Sequence, residues 1–327
     1  MKNTDVNQVY EYGRTLLFWA CMYGAVKPVN ALLKRKEIQI NQTDDDDMTP
    51  LYIACEQGHV EVVNALLARN EIQINQASND GATPLIIACQ QRHVKVVNVL
   101  VQSKNIQINQ PMNDGHNPLL IACQNGYLNI VRVLLTGKKI QINQAGSDGE
   151  TPLFIACQKN HVRVVKVLLM RKEIQINQPM DYGGTPLYIA CNYGHLDIVN
   201  LLLAKKEIQI NHGDKWKGIT PLYIACYGGY LNIVKVLLQS KTIKINQPMD
   251  NGETPLYIAC LTGHLDIVEV LLARKEILIN QASKDGKTPL EIAIYYQRDN
   301  IVKLLQEYKK KKKSSKRTSW WYRKKST

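Results

Sequence analysis

The sequence predicts an all-α fold, a solenoid of helix-turn-helix units stacked in a row and joined by short hairpin loops. Three observations predict it. All eight cysteines of the 327-residue chain, at 21, 55, 89, 123, 157, 191, 226 and 260, recur at a step of 34 residues with a single step of 35. Each ends a copy of one phrase, as in Thr49-Pro50-Leu51-Tyr52-Ile53-Ala54-Cys55. A second apolar stretch follows every phrase, so each unit carries an apolar face that only its neighbours can cover.

Taken in order, residues 1–14 read as a lead-in, 15–307 as nine repeats including two capping repeats, and 308–327 as a basic, disordered tail. The first repeat has Thr15-Leu16 in place of Thr-Pro, with bulky Phe18 and Trp19 beside Ala20-Cys21. Residues 183–211 show the interior unit most plainly. Thr185-Pro186 predicts an N-cap followed by the first helical residue, where proline's missing donor costs nothing. Gly194 predicts the left-handed residue that ends this short helix. Ile198, Val199, Leu202 and Leu203 then form the apolar stripe of a second helix. The exit Ile208-Gln209-Ile210-Asn211 alternates and leads into a loop. Pairs such as Asp80-Gly81, Asp114-Gly115 and Asp148-Gly149 supply the positive φ its turn requires. The glycine ending the first helix is replaced by Arg92, Asn160 and Gln297. Asparagine tolerates the left-handed conformation, whereas Arg92 there costs about 1 kcal/mol. The last repeat is more polar, with Glu291, Gln297, Arg298, Asp299 and Gln306, and Ile294 stands in place of cysteine, as suits an exposed cap.

Thr-Pro-Leu, the following Ala, the Gly194-His195 turn, the Val- and Leu-rich second helix and the Asn before a Gly-containing hairpin resemble the ankyrin repeat over roughly residues 13–305. The resemblance implies an ankyrin-repeat solenoid of helix pairs with projecting loops and a concave, partner-binding face. The sequence departs from the family in two ways. Tyr52, Ile86, Leu120, Phe154, Tyr188, Tyr223, Tyr257 and Glu291 stand where the family has His, and one extra residue before Ile-x-Ile-Asn makes the period 34 rather than 33.

Composition and motifs narrow the function. Net charge is +13, but ten of those charges lie in residues 308–327, which hold no acid, leaving about +3 on the array. The array is therefore no basic cradle for nucleic acid. No apolar run reaches the length of a membrane span, and the first residues hold no secretory apolar segment. Cysteines at equivalent places in stacked helices lie about 8–10 Å apart, too far for a disulfide. They read as small buried hydrophobes in a reducing, intracellular and cytoplasmic setting. His59, His93, His161, His195 and His264 share one turn position, and none gathers the convergent ligands of a zinc site. Asp44-Asp45-Asp46-Asp47 reads as a solvated acidic loop tip, or a weak contact for the basic tail, rather than a calcium loop. No phosphate loop, nucleophile elbow or metalloprotease motif occurs, so the expectation is no enzyme, no cofactor and no metal.

What differs between copies points to function. The residues after Ala-Cys are polar in the first half, as in Glu56-Gln57 and Gln90-Gln91. From the sixth repeat Tyr182, Tyr193, Trp216, Ile219, Tyr227 and Leu261 appear. Large aromatics dominate protein-binding hot spots, so these six are the expected anchors for a protein partner, with the chain acting as a monomeric scaffold. The 35-residue step falls in the loop that carries Trp216. The tail offers a second reading. Lys309, Lys310, Lys311, Lys312, Lys313, Lys316 and Arg317, with Trp320 and Trp321 beyond, suit nuclear import through an importin, an anionic membrane surface or a nucleic acid.

Overall fold

A computed structural model describes residues 5–325, with side chains through Lys312. Its described residues form eighteen α-helices and no strand, in the paired helix-turn-helix pattern of the expected all-α solenoid. Two compact units divide the chain. The first, Met1–Gln175, holds α1 (Leu16–Met22), α2 (Val26–Leu33), α3 (Pro50–Glu56), α4 (Val60–Leu67), α5 (Pro84–Gln90), α6 (Val94–Gln102), α7 (Pro118–Gln124), α8 (Leu128–Leu134), α9 (Pro152–Gln158) and α10 (Val162–Leu168). The second, Ile176–Thr327, holds α11 (Pro186–Asn192), α12 (Leu196–Leu203), α13 (Pro221–Tyr227), α14 (Leu231–Leu238), α15 (Pro255–Thr262), α16 (Leu265–Leu272), α17 (Pro289–Tyr295) and α18 (Asp299–Lys325).

The repeated phrase folds as its chemistry requires. Thr49 caps α3 by accepting a 3.0 Å bond from the Tyr52 N–H, and Asn117 does the same for α7 at 2.9 Å. Even without proline, Thr15 caps α1. In α3 every residue from Pro50 to Cys55 is buried, because the first helix of a pair packs on its own partner and on the first helices of its neighbours. The second helix buries only a stripe, Val62, Val63 and Leu66 in α4. Gly194 takes φ 74° as expected. Arg92, Asn160 and Gln297 take 62°, 60° and 55°, so the turn geometry persists where glycine is lost.

The alternating exit segment contributes more than its pattern promised. In it Ile74 is buried, and Asn75 reaches into the next repeat. The Asn75 side-chain amide donates to the Asn105 carbonyl at 2.8 Å, and its oxygen accepts from the Gln107 N–H at 2.8 Å. Within the first unit Asn41, Asn109 and Asn143 repeat this two-bond clamp, and Asn177, Asn211 and Asn246 repeat it in the second. Within each unit hairpins add further bonds, such as Asn113 N–H to the Asp80 carbonyl at 3.1 Å.

Residues 5–14 join this scheme. Asn7 clamps the Glu37 carbonyl and the Gln39 N–H, each at 2.8 Å, and the Tyr12 carbonyl accepts from the Asp45 N–H at 3.1 Å. The lead-in thus supplies an exit segment and hairpin like those of the repeats. This contact also corrects the reading of the acidic loop. Asp44 is not a solvated tip residue: its side chain is fully buried, pairs with Arg14 Nε at 3.3 Å and accepts from the Asp46 and Met48 N–H groups. A buried carboxylate requires such partners. At the other end α18 carries helix past residue 308. Lys312 Nζ lies 3.5 Å from the Ile277 carbonyl and 5.2 Å over the Tyr308 ring, while Lys310 and Lys311 are exposed.

All eight cysteines are buried and unbridged. Burial pushes the Cys21 and Cys260 thiols up to about 12 and raises the other six as well, so none offers a thiolate near neutral pH. Each raised thiol stabilises the fold fully below its ordinary value of 9.0, and that contribution is lost as pH rises toward the folded value. Thermal melts should therefore be level from about pH 7 to 8.5 and fall steeply above pH 9. Asn109→Ala removes both bonds of one clamp and should lower stability by about 2 kcal/mol in urea titrations, at roughly 1 kcal/mol per bond.

Candidate protein-binding surface

Tyr182 sits in the hairpin closed by the Met180 N–H to Gly184 carbonyl bond at 3.0 Å. Its ring folds back over Gly184, where a Cβ would lie 2.3 Å from the ring. Other repeats have Ala82, His116, Glu150, Glu253 or Lys287 at that place, so the bare backbone of Gly184 makes this pose possible. The next hairpin holds the 35-residue step. In ordinary hairpins the residue whose N–H donates to the previous hairpin is followed at once by the residue whose carbonyl accepts from the next, as with Asn79 and Asp80. In the enlarged hairpin Lys215 N–H donates to the Tyr182 carbonyl at 2.9 Å, and the Lys217 carbonyl accepts from Asp250 N–H at 2.7 Å. Trp216 is the spare residue between them.

Asp214 fixes that tip by accepting from the Trp216 and Lys217 N–H groups at 3.1 and 2.7 Å. Trp216 is left 75% exposed, with its ring 5.7 Å from that of Tyr182. Tyr182 also meets Tyr188 edge-on at 6.4 Å. Burial, followed by the neighbouring Tyr193 and Asp214, pushes the Tyr182 hydroxyl up to about 12. Burial and Asp214 do the same to Tyr188. Both are neutral phenols at physiological pH. Tyr193, 49% exposed at the end of α11, stacks on His195 at 5.9 Å.

The remaining expected anchors lie farther along the second unit. Tyr227 is 54% exposed at the end of α13. Leu261 is half-buried, its carbonyl accepting from Arg298 Nε at 3.2 Å. Ile219 is half-buried and closes the enlarged loop by accepting from Asp214 N–H at 3.1 Å. The structure thus brings Tyr182, Tyr193 and Trp216 together and leaves Tyr227 and Leu261 on later repeats. It also adds Tyr188, Tyr223 and Tyr257, which sequence reasoning noted only as departures from a family residue. Tyr223 donates to Glu253 Oε2 at 2.7 Å, and Tyr257 bonds Ser283. The signal was the recurrence of Tyr at one repeat position in three successive copies.

The turn histidines are part of the scaffold. His59, His93, His161 and His264 each place Nε2 within 2.8–3.2 Å of a carbonyl in the preceding repeat. Among the described residues no group of three His, Cys, Asp or Glu is placed to hold a metal ion. Of the tail residues, Lys309 and Lys312 line a cavity with Ile277–Gln281. Lys313, Lys316, Arg317, Trp320 and Trp321 lie outside the described side chains.

A family model for ankyrin repeats, three copies in length, matches residues 1–78, 68–145, 139–214, 208–281 and 245–316. The chain belongs to the ankyrin-repeat family. Ankyrin repeats generally mediate protein–protein interaction, and the family is typically non-enzymatic. No curated protein matches the chain.

Within the ankyrin array the exposed and buried aromatics carry separate roles. Trp216→Ala should change stability by less than about 1 kcal/mol, as a surface substitution does. Tyr223→Ala, which removes a side chain only 4% exposed, should cost about 3 kcal/mol or more. Urea unfolding of the two variants measures the contrast.

Proposed function

We propose that this ankyrin-repeat protein is a non-enzymatic, monomeric scaffold that grips a protein partner through Tyr182, Tyr193 and Trp216, extended by Ile219, Tyr227 and Leu261. The pose of Trp216 carries the reading: a large aromatic, 75% exposed, is pushed out of a registered hairpin ladder and backed by a second ring. The fold gains little from that exposure, whereas a partner gains a rigid, amphipathic anchor whose ordering entropy is already spent. The eight buried, unbridged thiols support an intracellular, cytoplasmic setting.

A tail-driven role is supported by charge alone, ten cations and no acid in residues 308–327. It would direct the chain to an importin, an anionic membrane or a nucleic acid, and so to a nuclear or membrane-peripheral location. Quantitative proximity labelling in cells separates the two readings. The Trp216→Ala/Tyr193→Ala variant should lose a discrete set of labelled proteins by about tenfold or more, the scale of two hot-spot residues, while its melting temperature stays unchanged. An unchanged set would place recognition elsewhere. Loss of the same set on replacing Lys316, Arg317, Arg323, Lys324 and Lys325 by Ala would give the role to the tail.

A further inference from the structure

The first unit carries a second surface of different chemistry. A groove of about 480 Å³ runs along the turns joining α5 to α6, α7 to α8 and α9 to α10. Arg92, Tyr127, Asn129, His161 and Arg163 are among its lining residues, and no acidic side chain lines it. By element order it lies at the end of its own helix pairs away from their hairpins, and it has no residue in common with the Trp216 surface.

Several local choices around this groove run against the needs of the fold. Arg92 holds a left-handed backbone at φ 62°, where Gly24, Gly58 and Gly126 occupy the same turn in neighbouring repeats without strain. Its guanidinium lies 5.5 Å over the Tyr127 ring, which aims it along the groove. The first turn of a helix favours acidic side chains, and Glu61, Asp197 and Asp266 occupy it in α4, α12 and α16. The three successive repeats of the groove carry Lys95, Asn129 and Arg163 there instead. Helices α2 and α14 likewise carry Lys27 and Asn232, so what sets the groove apart is the run of three without an acid. Neither Arg92 nor Arg163 has an ion pair among the described residues. His161 Nε2 lies 2.9 Å from the Gln124 carbonyl, so that nitrogen is taken up by the scaffold. Local rules broken together, with no acidic partner for either arginine among the described residues, mark a place shaped by something outside it.

We propose that this groove binds a phosphorylated segment of a partner protein, with Arg92 and Arg163 receiving the phosphate and Tyr127 and Asn129 contacting the chain beside it. Guanidinium groups match phosphate oxygens in two-bond geometry, and a single cavity of this volume holds one phosphorylated side chain with its neighbours. A nucleic acid would call for a continuous basic stripe, and the array outside the tail carries only about +3.

The test uses the full chain and fluorescence anisotropy with a dye-labelled degenerate peptide pool centred on phosphoserine. The same pool with serine and a short single-stranded oligonucleotide are the comparisons. The phosphorylated pool should bind about tenfold more tightly than the serine pool, as expected for a charge-assisted contact. Arg92→Gly should raise the melting temperature by relieving the left-handed strain and yet weaken binding, and adding Arg163→Asp should take the loss to about tenfold or beyond. A variant more stable than the parent that binds less well cannot be explained by misfolding. Equal binding of the two peptide pools would overturn the proposal. So would preferential binding of the oligonucleotide, or a loss produced by Lys316→Ala/Arg317→Ala in the tail but not by Arg92→Gly.

Discussion

Each repeat is tied to the next by one asparagine. The clamp from the Ile-x-Ile-Asn exit reads both the carbonyl and the N–H of the following exit segment, at the same spacing from Asn41 through Asn143 in the first unit. Apolar packing between helix pairs is strong but non-directional. A two-bond clamp is directional, so it fixes the register at which the pairs stack. The hairpin bonds, the buried Ile40, Ile74 and Ile108, and the cysteine row all follow from that register. Even Asn7, ahead of the first helix, obeys it, and Val6 is buried beside it as those isoleucines are.

A fixed register also explains how variation between copies reaches the surface. Asn211 clamps the Thr242 carbonyl and Lys244 N–H, so the longer repeat stays in step despite its additional residue. That residue has nowhere to go but outward, and it is Trp216. Gly184 does the complementary work by leaving room for Tyr182 behind it. The array therefore holds Tyr182 and Trp216 in defined poses, which would lower the ordering cost of the proposed association. In the first unit the same frame tolerates Arg92 in a glycine's place because the turn is over-determined by packing on both sides.

Much of this was legible in the sequence. The Thr-Pro caps, the buried cysteines and the left-handed turns at Gly194, Asn160 and Arg92 follow from local chemistry, which repetition displays several times over. The asparagine clamp was visible only as a recurring letter, since its partners lie about thirty residues ahead and depend on stacking. Asp44 was misread for the same reason: adjacent carboxylates look solvated until Arg14 arrives from another repeat. Of the candidate surface, Trp216 was marked by the break in period. The supporting Tyr188 and Tyr223 were hidden because a single aromatic in a repeat position reads equally well as core.

Hydrogen exchange at the clamped amides tests the central claim most directly. The N–H groups of Gln73, Gln107, Gln141, Gln175 and Gln209 lie in exposed exit segments, outside helices, and donate to the clamp asparagines. If the clamp sets the register, these five amides exchange as slowly as those of the buried first helices, and Asn75→Ala speeds Gln107 selectively. Exchange of these amides at the rate of unprotected loop residues would contradict it.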